Sequence, residues 1–112
     1  MRIYKFETSL DPCGTCGDGV FNATVSMPIN SQIIKVESLL PRQITFWAMV
    51  DHDFIDGGPV ASRDRYFKIY GTGRDFYLAN EEGLLRYIDT VFDGPWPIAY
   101  VWHVFELEKK HG

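Results

Sequence analysis

The chain has no apolar run of the ~18 residues that a membrane-spanning helix needs. Its opening residues, MRIYKFET, alternate charged with apolar side chains and lack the apolar centre of a signal peptide. Both absences predict a cytosolic protein whose two cysteines stay reduced. Basic residues are few, 11 against 15 acidic ones, for a net charge of −4. A general nucleic-acid binder carries a basic footprint, so nucleic acid is not the expected partner. The acidic excess is also too mild, and too evenly spread, for a DNA mimic. Histidine occurs only at His52, His103 and His111, and no serine or cysteine nucleophile motif accompanies it. The chain is therefore not expected to be an enzyme. No repeat, linker or low-complexity segment divides the 112 residues, a length that suits one β-rich domain over 1–112.

Aromatic residues are plentiful, at 15% of the chain, and these pack well on a pleated face. The stretch Arg65–Arg74, RYFKIYGTGR, is the candidate organising element. Phe67 and Ile69 point one way, and Tyr66, Lys68 and Tyr70 the other, which is the period of a half-buried strand. Gly71 and Gly73 then end it, both expected at positive φ. The apolar runs Ile44–Val50 and Ile98–Phe105 are its expected partners. Further strands are predicted at Arg2–Glu7, Val20–Met27, Gln32–Leu40, Gln43–Asp51, Arg86–Phe92 and Ile98–Leu107. Leu40–Gln43 is short enough for a hairpin. Asn80 with Glu81 and Glu82 could cap one short helical turn. The expectation is an all-β, mainly antiparallel fold of about seven strands, a sandwich or small barrel, with at most one short helix.

Chemistry-bearing residues are sparse. Cys13 and Cys16 have the C-x-x-C spacing of a zinc site, but a structural zinc needs four ligands and no second pair follows. Ordinary reduced thiols in a turn are the simpler reading, so no cofactor is expected, with zinc and a disulfide as alternatives. A zinc shared between two chains would imply a homodimer. Gly71, Thr72, Gly73 and Arg74 could form an anion nest with an arginine fork. No helix or Lys-Ser/Thr pair follows, so a plain turn is the simpler reading. Asp51-His52-Asp53 with Asp56 reads as a solvated loop rather than an acid–base cluster. The strands carry more aromatic residues than one inner face needs. Trp47, Tyr100 and Trp102, which have polar handles, are therefore expected to border a contact surface, with His52 and the Asp51–Ser62 loop at its rim.

Four segments in order, Phe46–Asp51 (FWAMVD), Arg65–Gly73 (RYFKIYGTG), Tyr87-Ile88 and His103–Glu106 (HVFE), resemble small bacteriophage and prophage proteins of unassigned function. The loops Asp11–Gly19 and Asp51–Ser62 are longer than that family's. The resemblance implies a phage accessory protein in the cytoplasm of an infected bacterium. It brings no reaction with it. The expected function is non-catalytic binding to a host protein, counter-defence of the anti-CRISPR kind being one version. The alternatives are a small-ligand or nucleotide-sequestering protein using Gly71–Arg74, and a virion structural protein with a phage protein as partner.

Overall fold

The structure is a computed structural model that describes residues 1–9, 20–38, 43–50, 61–73, 76–93 and 100–109, with the backbone alone at 80, 93 and 100. In chain order the strands are β1 (Arg2–Ser9), β2 (Val20–Pro28), β3 (Gln32–Glu37), β4 (Gln43–Val50), β5 (Ser62–Gly71), β6 (Ala79–Asn80), β7 (Gly83–Asp93) and β8 (Tyr100–Lys109). They form two antiparallel sheets, one ordered β1-β4-β3 and the other β2-β5-β8-β7-β6. No helix occurs among the described residues. The architecture is all-β, and its two unclosed sheets make a sandwich.

Alternation decides which side chains enter the core. Ile44 and Phe46 of β4 and Val36 of β3 meet Ala23, Val25 and Met27 of β2, Phe67 and Ile69 of β5, and Val104 of β8. Phe46 and Phe67 are in ring contact across the sheets, with centroids 4.5 Å apart. Burying side chains of this size stabilises by roughly 1.5–3 kcal/mol each. Two bulges bend the ladders, at Ile33/Lys35 on β3 and at Tyr87/Asp89 on β7. At the second bulge the Asp89 carboxylate accepts from its neighbour Thr90 N at 2.8 Å and from Val36 N of the other sheet at 3.4 Å.

Three expectations are corrected. β4 is not a partner of β5: it is the centre of the three-stranded sheet, while β5 lies between β2 and β8. Both runs are apolar, and composition does not say which sheet each joins. The segment at Asn80 forms no helical turn. Asn80 pairs with Gly83 and Ala79 with Leu84, so Glu81 and Glu82 are a two-residue hairpin loop. Only one glycine of the 71–73 turn has positive φ: Gly71 closes β5, and Gly73 sits at 90°.

Candidate functional site

The outer face of the five-stranded sheet carries a second apolar cluster: Tyr70, Leu85, Phe105 and Leu107 are buried there, with Tyr66 and Val20 packed against them. The chain leaves β5 and crosses over β8 and β7 to reach β6 at the far edge. On the way, Phe76 lies against Tyr70 at 4.9 Å and Phe105 at 4.8 Å between centroids. Farther along the same face runs a polar chain. His103 is hydrogen-bonded through Nε2 to Thr72 Oγ1 at 2.8 Å and through Nδ1 to Thr90 Oγ1 at 3.0 Å. Thr90 Oγ1 continues to Tyr87 OH at 2.7 Å. Tyr87 and Phe92 flank Thr90 on this face of β7, and they remain 55% and 65% exposed. Leu78, whose carbonyl accepts from Leu85 N at 2.7 Å, extends the exposed strip.

The second feature is a cleft of about 430 Å³ at one end of the sandwich, walled on one side by the Pro28–Ser31 turn. Asn30 takes a left-handed φ of 66° there, a conformation that asparagine tolerates. Register sets the floor. Arg65 lies opposite Val25 on the inward-facing positions of β5, and Glu106 opposite Phe67 on those of β8. Each is a charge on an otherwise apolar face, and they meet. Arg65 Nε and Nη2 each donate to one Glu106 oxygen at 2.6 Å. Arg65 Nη1 donates to the Ser31 carbonyl at 2.7 Å. Arg86 Nη2 adds a bond to Glu106 Oε1 at 3.0 Å. Burial alone would raise the pKa of Glu106. The bonds and charge of Arg65, then those of Arg86, outweigh it and hold the carboxyl below its ordinary value.

The residues expected to act fall in different places. Trp102 does not border a surface: it is 9% exposed and packs edge-on against Phe21 in the core, with centroids 5.1 Å apart. Its inward parity is shared with Val104, and that is the physical reason. Trp47 is half-buried on the outer face of the three-stranded sheet, opposite Lys5 and Lys35. Gly71 and Thr72 adjoin the polar chain, where the Thr72 hydroxyl is engaged by His103. Cys13, Cys16, His52, Arg74 and the side chain of Tyr100 lie outside the described residues. Among the described residues no group of three or more His, Cys, Asp or Glu side chains is placed to hold a metal ion. Arg65, Arg86 and Glu106 were not expected to form a site. The signal was present: each of Arg65 and Glu106 shares its parity with core residues, which demands a partner.

The chain belongs to the family described as a domain of unknown function, DUF7352, whose model matches residues 17–112. β1 precedes that match. No curated protein and no solved structure matches the chain.

Proposed function

We propose that this member of the DUF7352 family is a non-catalytic binding protein that docks on another protein through the strip formed by Leu78, Tyr87 and Phe92. The observation that carries the reading is that Tyr87 and Phe92, both more than half exposed, lie on either side of Thr90 on a sheet face whose own apolar cluster is already covered by Phe76. Tyrosine is enriched at interface hot spots, and the hydrogen-bonded hydroxyls at the centre of the strip add directional contacts to its apolar area. The acidic total of the chain favours a protein over a nucleic acid as partner. The likeness of its segments to phage and prophage proteins supports a bacterial host protein, met in the cytoplasm of an infected cell. Occlusion of a defence effector is the finer version of that proposal, and it needs no catalytic group.

The test is affinity capture from infected bacteria with cross-linking and quantitative mass spectrometry, run in parallel on wild type and Tyr87→Ser/Phe92→Ser. The expected result is a stoichiometric host protein lost from the double variant, whose folding is unchanged. Capture insensitive to the double substitution, self-association through the strip, or co-migration with phage particles would overturn the reading.

A further inference from the structure

Both sheets are open, and an edge strand presents a row of backbone N–H and C=O groups that its own sheet does not use. Most of these edges carry a device that discourages pairing. β1 sets Arg2, Lys5 and Glu7 along its length. β3 is bulged at Ile33/Lys35 and carries Lys35 and Glu37. At the far edge of the five-stranded sheet β6 is two residues long. β7 beyond it is bulged at Tyr87/Asp89, where the Asp89 side chain takes up the Thr90 N–H. β2 is different. It runs in unbroken register with β5 from Val20 to Pro28, has no charged residue, and keeps its proline to the last position. β1 approaches it from the facing sheet but pairs with β4. Among the described residues no strand pairs with the outer edge of β2.

We propose that the outer edge of β2 pairs antiparallel with β2 of a second copy of this chain, about a two-fold axis at Thr24, so that one sheet continues across both chains. An unpaired edge selects an extended strand as its occupant, because a strand answers the alternating donors and acceptors in turn. The side chains select this particular strand. Thr24 is the central residue of Val20–Pro28, so a two-fold axis there sets Thr24 opposite its own copy and Asn22 opposite Ser26. These are exposed, uncharged polar residues. On the face that enters the core, the same axis sets Ala23 opposite Val25 and Phe21 opposite Met27, apolar against apolar. Threonine opposite threonine is a favourable cross-strand pair, and no like charges meet. The same operation on β1 or β3 draws charged side chains into the pairing. The proposal does not rest on the docking strip. That strip lies on β7, toward the opposite edge of the sheet, and stays open in such a dimer.

The experiment is sedimentation equilibrium of the full chain from micromolar to millimolar concentration, on wild type, Thr24→Lys, Thr24→Glu and an equimolar mixture of the two variants. Thr24 is exposed, so the melting temperature of each dilute variant should match that of wild type. The expected result is a concentration-dependent dimer of wild type, weakened about tenfold or more by either substitution, which sets like charges across the axis. The mixture should dimerise again, because it sets opposite charges there. Amide hydrogen exchange should show β2 gaining protection as wild type is concentrated. A chain that stays monomeric at millimolar concentration, a dimer indifferent to both substitutions, or a dimer lost with Tyr87→Ser/Phe92→Ser instead would overturn the proposal. So would a strand of another protein captured on β2 in place of the second copy.

Discussion

Arg65 of β5 and Glu106 of β8 form a two-bonded ion pair, 2.6 Å at each bond, with side chains 11% and 12% exposed. The pair closes one end of the sandwich core where apolar side chains stop, and it also carries the guanidinium of Arg86. It therefore joins the packing of the fold to the floor of the cleft.

Removing one partner leaves the other charge with little water. Glu106→Gln or Arg65→Met should cost up to about 3–5 kcal/mol, the range for breaking a buried pair. The paired substitution Arg65→Met/Glu106→Leu should cost less than either single change. Urea unfolding of the three variants measures this. Equal, additive losses would show that the two side chains act independently.

The same pair fixes a pH dependence. Glu106 has a folded pKa below its ordinary value, so the unfolded chain binds its proton more readily. Its contribution is fully present above the unfolded carboxyl pKa and is lost as pH falls through the depressed folded value. The stability difference between wild type and Glu106→Gln should therefore be widest near neutrality and shrink in acid. A difference that widened on acidification would contradict the assignment.

Gly83 opens β7 at a φ of 149°, and a Cβ there would overlap the Glu108 carbonyl oxygen and lie 2.9 Å from its carbon. Backbone, not a flexible side chain, is what it meets. Gly83→Ala should destabilise through both strain and overlap, by more than the roughly 1–3 kcal/mol of strain alone. Gly73→Ala has the same kind of φ, 90°, but open space around it, so it should cost the strain only. Thermal unfolding of the two variants gives the comparison, with Gly83→Ala expected to be the worse.

Trp102 is a core residue, and Trp102→Ala should cost about 3–5 kcal/mol. The folded fraction of that variant should retain any partner that wild type captures. Loss of capture at unchanged melting temperature would move Trp102 back to an interface.

The strands were legible because alternation is local. Phe67 and Ile69 point inward in the structure as their spacing requires, and so do Ile44, Phe46, Ala48 and Val50. What was not legible depends on distant pairing. β4 has apolar residues on both faces, Phe46 on one and Trp47 and Met49 on the other, a pattern that fits the centre of either sheet. Only its register with β1 and β3 assigns it. The start of β7 was obscured because Asn80-Glu81-Glu82 carries helix-capping residue types, while Gly83 was the turn signal that mattered. The ion pair was half-legible. The inward parity of Arg65 and Glu106 could be read, but their adjacency follows from the β5–β8 register.

The side of β4 that faces away from the core holds the last discriminating residue. Thr45 is fully buried and Trp47 half-buried, and neither Thr45 Oγ1 nor Trp47 Nε1 has a hydrogen-bond partner among the described residues. Around them lie two salt bridges, Lys5–Glu7 at 3.0 Å and Lys35–Glu37 at 2.8 Å, on the strands flanking β4. Both lysines sit opposite Trp47 in register, so their aliphatic stems are placed to screen the indole while their ammonium groups remain in water. A buried N–H without an acceptor costs on the order of 1–3 kcal/mol. Trp47→Phe removes that donor and keeps most of the ring, so the isolated protein should be as stable as wild type or more so by chemical denaturation. If this face also takes a partner, the indole N–H is the group that would gain an acceptor on binding. Trp47→Phe would then weaken capture while raising stability. Lower stability with unchanged capture would instead show that the indole N–H is already satisfied in the free protein.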